Sequence, residues 1–198
     1  MEKERALEEL LYIKQIINDS KKVIAENGTG FIVWGIIVAF GLLSTYLFVA
    51  FKIPMRIPWN WVVLILIGWI YSFIDYKRSE RKKVYSLSSK ILGSIWMSTG
   101  VALTILGFVG VMTGAIHSHY ICPVFSTIIG SAVLITSSLY EHKWIKYIAY
   151  VWWISAIFMF LLPGLYTLLL MAAEILLLQV VPGYLLSKEY KKTQAELL

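Results

Sequence analysis

The sequence predicts an all-α integral membrane protein, with six transmembrane helices arranged as three hairpins and an amphipathic cytoplasmic helix before them. Three observations predict it. The 198 residues are 59% hydrophobic and 15% charged, whereas soluble domains run at about half apolar and a quarter charged. The apolar residues fall in six blocks, each long enough for the roughly 20-residue crossing of a ~30 Å hydrocarbon core. The 18 Lys and Arg residues also alternate from side to side. Sixteen lie in residues 1–29, in residues 77–90, at Lys143 and Lys146, and after residue 187; only Lys52 and Arg56 lie in the intervening connections. Cytoplasmic loops retain Lys and Arg, so both termini are expected in the cytoplasm.

The blocks follow in order. Span one runs from about Gly30 to Phe51, and span two from Trp59 to Tyr76 with aromatic residues at both ends, as at membrane interfaces. Span three covers Ile91–Ala115 and span four Tyr120–Tyr140. Span five begins near Trp144 and ends at the Pro163-Gly164 turn, and span six covers Leu165–Leu186, with Pro182-Gly183 expected to loosen or kink its inner end. Continuous apolarity excludes the in-out alternation of a barrel, so helices must satisfy the backbone. Tryptophans recur in the odd spans (Trp34, Trp96, Trp152), and Leu66-Ile67-Gly68 echoes Ile128-Ile129-Gly130 in the even ones. Either a parallel repeat of hairpins or membrane composition alone accounts for these echoes.

Residues 1–29 form a separate unit, followed by the transmembrane domain 30–187 and a cytoplasmic tail 188–198. In the leader, Ala6, Leu10, Ile13, Ile17 and Ile24 share helical spacing, with Glu4, Glu8, Gln15 and Asp19 on other faces. Acidic residues near its start argue against simple binding to anionic lipid. Docking of residues 1–26 on a cytoplasmic or membrane protein partner is therefore preferred to lying on the bilayer. The charged start and long first apolar run do not read as a cleavable signal peptide.

The leader from Glu8-Glu9-Leu10 through Ile16-Ile17 into Gly28-Thr29-Gly30-Phe31, together with the ending Val181-Pro182-Gly183-Tyr184-Leu185-Leu186, resembles uncharacterised small six-span bacterial inner-membrane proteins with an amphipathic N-terminal helix. The resemblance implies a bacterial cytoplasmic (inner) membrane. It transfers no activity and no functional residue.

Three constellations stand out. Gly93, Gly100, Gly107 and Gly114 recur every seven residues along span three. That spacing predicts one glycine groove for helix packing, either inside the bundle or between copies in a homo-oligomer. Glu174 is the only acidic residue deep in a span, about ten residues or 15 Å from its outer end. An ionised carboxylate there costs several kcal/mol unless paired, so the protonated form is expected, with Thr167 on the same face. It is either a proton or cation site, or a structural carboxyl hydrogen-bonded to a hydroxyl such as Ser131 or Thr136. His117, His119 and Cys122 fall close together in the outer connection. With no fourth ligand apparent, a solvated loop is expected rather than a metal site. Thiol labelling from outside intact cells should then reach Cys122, and should leave cysteines introduced at Ser86 and Thr193 protected.

No phosphate loop, metal-binding His motif, serine elbow or paired intramembrane carboxylate is present. No enzyme, metal or cofactor is therefore expected. The net charge of +6 sits beside apolar spans, which fits anionic inner-leaflet lipid and not nucleic acid. A non-enzymatic sensor, anchor or partner subunit is the leading expectation. The alternative is a small proton- or cation-coupled transporter or channel using Glu174.

Overall fold

The computed structural model describes residues 28–53, 57–81, 87–138 and 143–196. The leader, apart from Gly28 and Thr29, and the centres of the basic connections lie outside these residues. The described residues are helical with no strand. Six helices are long and apolar enough to cross a membrane: Gly28–Ala50, Trp59–Lys77, Lys90–Gly110, Ser118–Ser137, Trp144–Leu161 and Tyr166–Lys188. The chain is therefore a multi-pass membrane protein by helix length and composition. Its outer surface agrees, because Phe40, Leu66, Ile154 and Leu177 are all exposed. Apolar exposure on that scale suits lipid and not water.

The helices are α1 (Gly28–Ala50), α2 (Ile57–Arg81), α3 (Leu87–Ile105), α4 (Ile121–Ser137), α5 (Lys143–Leu161), α6 (Tyr166–Ile175) and α7 (Val181–Glu196). The sixth span passes from α6 into α7 through a π turn at Leu176–Val180. That turn answers the expected kink. A proline has no N–H to donate and its ring crowds the preceding turn. Here the wider turn just before Pro182 takes up the mismatch, and the helix continues.

Antiparallel packing of α1 and α2 is pinned by hydrogen bonds across the pair. Trp34 Nε1 donates to Ser72 Oγ at 2.9 Å, Asn60 Nδ2 to Ser44 Oγ at 2.9 Å and Trp61 Nε1 to Thr45 Oγ1 at 3.0 Å. Lipid tails are as apolar as leucine, so such bonds and close packing hold membrane helices together. The start of α1 lies against the sixth span, where a Cβ added to Gly183 would stand 3.0 Å from the Gly28 carbonyl oxygen. The ends of the first and last spans thus share one end of the bundle.

The core lies among α4, α5 and α6. Ile129 and Val133 from α4, Ala149, Trp152 and Met159 from α5, and Met171 and Ile175 from α6 form one buried cluster, edged by Ala39 and Leu42 of α1. In the fourth span 44% of the apolar window is buried, against 6% in the second, so α4 is central and α2 faces lipid. Among α2 to α7, the most extensive packing joins α4 and α5, which are linked by a connection the charge pattern reads as cytoplasmic.

The seven-residue glycine series does not form one groove within the chain. A Cβ on Gly100 would meet only Trp69 at 3.8 Å, one on Gly107 would meet Phe125 at 3.1 Å, and Gly93 and Gly114 have nothing within 4 Å. Two causes break the stripe. The π turn at Leu106–Gly110 rotates the face presented beyond it. Gly114 ends the span in the left-handed region at φ +73°, a backbone role that glycine fills at low cost.

The glycines that do permit close approach lie elsewhere. A Cβ on Gly68 would come within 2.5 Å of the Trp34 ring, and one on Gly130 within 2.7 Å of Trp153. Gly35 is pressed against Val180. The echo between Gly68 and Gly130 is thus a shared use, a glycine receiving a tryptophan, but the partners are α1 for α2 and α5 for α4.

Candidate functional site

Glu174 stands in the last turn of α6, at helical spacing from Thr167 and Met171, and all three are buried. That face meets α4, where Cys122 and Ser126 lie one turn apart and are also buried. Burial of Glu174 is nearly complete, at 6% exposure. Ser126 Oγ donates to Glu174 Oε2 at 3.3 Å, long for a hydroxyl donor and therefore a loose tether. Glu174 Oε1 has no hydrogen-bond partner. No Lys, Arg or His among the described residues is paired with the carboxyl.

Thr167 shares the face as expected, and its Oγ1 donates to the Gly164 carbonyl at 2.8 Å, tying the start of α6 to the Pro163-Gly164 turn. The thiol of Cys122 lies beside the Thr167 side chain and within electrostatic reach of Glu174. Cys122, Ser126, Thr167 and Glu174 thus form one polar seam between α4 and α6, set in an apolar core.

Two expectations are corrected. Neither Ser131 nor Thr136 is the hydroxyl partner of Glu174. Ser131 is partly exposed and bonds back to the Thr127 carbonyl at 3.0 Å. Thr136 is buried but lies ten residues beyond Ser126 along α4, and its Oγ1 has no partner. Which hydroxyl meets Glu174 depends on which face of α4 turns to α6, and a continuously apolar helix does not advertise that face. The only hint was Ser126 falling at helical spacing with Ile129 and Val133.

Cys122 is likewise not a loop residue. The short 3-10 turn Ser118–Tyr120 leads directly into α4, which buries Cys122 to 1% exposure, while His117 and His119 remain exposed. The imidazoles and the thiol therefore occupy different environments. External labelling of Cys122 is expected to fail in the folded protein, since a maleimide cannot reach it. A cysteine placed at exposed Ser118 takes over as the outer reporter, and labelling at Ser118 with protection at Ser86 and Thr193 is the result that supports the charge-derived topology. External labelling at either of the last two sites would refute it.

A second feature, mostly apolar, lies toward the shared end of the first and last spans. A cleft of about 40 Å³ is lined by Thr136, Ile145 and Ile148, and by Gln179, Pro182 and Gly183 of the sixth span. Gln179 Nε2 donates to the Phe31 carbonyl at 3.3 Å. Gln179 belongs to the π turn that follows Glu174. In chemical terms the seam can hold and release a proton on the carboxyl, or take a small cation on oxygen ligands; it offers no activated nucleophile. No family, curated protein or solved structure matches the chain.

Proposed function

We propose that the chain is a non-enzymatic, proton- or cation-coupled transporter or channel in which Glu174 is the exchanging group. The carrying observation is a nearly buried carboxyl in a membrane span with one oxygen loosely held by Ser126 and the other unpartnered. A purely structural carboxyl would be expected to satisfy both oxygens, because an unmet acceptor in a low-dielectric interior costs about 1–3 kcal/mol. A group that must change protonation state gains from being held loosely. The seam of Cys122 and Ser126 from α4 facing Thr167 and Glu174 from α6 also supports this reading over that of a sensor, anchor or partner subunit, which rests on docking through residues 1–26.

The setting belongs to the same proposal. The sixteen-to-two charge split supports a cytoplasmic position for both termini and for the Thr136–Gln179 cleft, and the resemblance of the leader and the ending supports a bacterial inner membrane. Three hairpins with an amphipathic leader describe the topology.

The test is proton flux in liposomes containing the purified protein and a trapped pH dye. The isostere Glu174→Gln keeps the hydrogen bond with Ser126 but cannot exchange a proton. It is expected to leave thermal stability unchanged and to lower pH-driven flux by about tenfold or more. Equal flux in wild type and Glu174→Gln would sink the proposal.

A further inference from the structure

We propose that a proton-access route runs through the α4–α5–sixth-span seam from the Thr136–Gln179 cleft to Glu174, closed in this conformation by the Trp152 indole. The inference rests on the reading of Glu174 as the exchanging group and adds the path by which water reaches it.

Four buried side-chain atoms without hydrogen-bond partners mark the path: Thr136 Oγ1, Trp152 Nε1, Ser155 Oγ and Glu174 Oε1. Buried polar atoms in folded proteins are nearly all satisfied, and an exception calls for an ordered water or a functional cause. These four belong to the three helices that form the core, and their order along the bundle follows from their neighbours. Thr136 lines the cleft together with Ile148, one turn before Trp152 on α5. Trp152 packs beside Gly130, where an added Cβ would stand 3.1 Å from the Trp152 Cβ. Gly130 is one turn from Ser126, which donates to Glu174. Ser155 follows Trp152 by three residues toward that level.

The cleft itself, at about 40 Å³, has room for water, which needs roughly 10–15 Å³. Gln179, whose amide also donates to the Phe31 carbonyl, lines it, and the buried Thr136 hydroxyl lies behind its wall. Pro182 lacks an N–H, so one carbonyl of the preceding turn is also left without its helical donor. Gln179, within the π turn, lies five residues from Glu174, roughly 7 Å at a helical rise of 1.5 Å per residue. Such turns bond residues five apart and recur at functional sites.

Trp152 is fully buried at 0% exposure, and its neighbours Ile148 and Gly130 set it along α5 between the level of the cleft and that of the carboxyl. A buried indole N–H normally finds an acceptor, this one has none, and in the proposed route entering water supplies it. Proton transfer is then simple. A hydronium in the seam gives its proton to the Glu174 carboxylate, leaving water and a carboxylic acid, and the reverse step returns it. Among the described residues, the other titratable group brought to Glu174 is Cys122 from α4; α5 contributes Trp152 and Ser155, neither of which titrates.

The test is hydrogen–deuterium exchange of the Glu174 carboxyl in the purified full-length protein. It is followed by the infrared C=O band that is lost in Glu174→Gln, at a pH where that band shows the acid form. Thr136→Val and Gln179→Leu, which strip polar groups from the cleft, are expected to slow exchange about tenfold, and Trp152→Phe to speed it by a similar factor. Exchange unchanged in both cleft variants overturns the route, as does finding no acid form at any pH. Should Trp152→Phe not fold, the two cleft variants decide alone. Slowed exchange in them, with flux equal in wild type and Glu174→Gln, supports the route while refuting the transport reading.

Discussion

Gly130→Leu is expected to be strongly damaging, and Gly93→Leu to be nearly silent. A Cβ at position 130 would stand 2.7 Å from Cδ1 and Nε1 of Trp153 and 3.1 Å from the Trp152 Cβ. Neither tryptophan can yield easily, because Trp152 is fully buried and Trp153 Nε1 donates to the Thr127 carbonyl at 3.2 Å. Leucine must therefore push α4 and α5 apart, and these two helices pack on each other extensively. Overpacking typically costs about 1–3 kcal/mol and occasionally more, and the upper end is expected here because two aromatic rings lie in the way. Position 93 faces open space, so leucine there meets lipid or detergent. Thermal unfolding in detergent with both variants checks the contrast. Equal losses would show that the seven-residue series, and not the glycine–tryptophan contact, holds the helices together. A dimer lost only in Gly93→Leu would assign the open glycines to self-association.

Trp152→Ala should destabilise the bundle by about 3 kcal/mol, at the low end of the 3–5 kcal/mol seen for large-to-small aromatic changes in cores. The reason for the low end is the solvent. In a soluble protein the loss combines a transfer term with a cavity term. In a bilayer the transfer term nearly vanishes, since lipid is as apolar as the core, and lost dispersion contacts remain. Trp152 is the largest fully buried side chain, so those contacts are many. Trp152→Phe keeps most of them and should cost clearly less. Chemical denaturation in mixed micelles, with intrinsic fluorescence replaced by circular dichroism as the probe, measures the series. An alanine variant as stable as wild type would mean that the α4–α5–α6 cluster is not the core.

Hydropathy is a property of the chain in one dimension, and the pattern of apolar helices that depends on it was legible. Six helices could be read because each must supply its own backbone hydrogen bonds and enough apolar length to cross the bilayer. The turn at Pro163-Gly164 could be read from its residue types. Burial of Thr167 beside Glu174 followed from helical spacing alone, since residues seven apart return to one face.

Contacts between spans were another matter. Ser126 in place of Ser131 or Thr136, Cys122 inside α4 and not in a loop, and Gly130 in place of Gly93 all turn on which helix faces which. A membrane helix apolar on every side carries no amphipathic stripe to say so. The pairing is decided by close packing, a few interhelical hydrogen bonds and local turns such as Leu106–Gly110 and Leu176–Val180. These shift the register of a helix without leaving a mark in its hydropathy. The chain's composition therefore determined six helices long and apolar enough to cross a bilayer, whereas only the assembled bundle decided that Glu174 meets Ser126, because close packing and interhelical hydrogen bonds, and not hydropathy, decide which helices become neighbours.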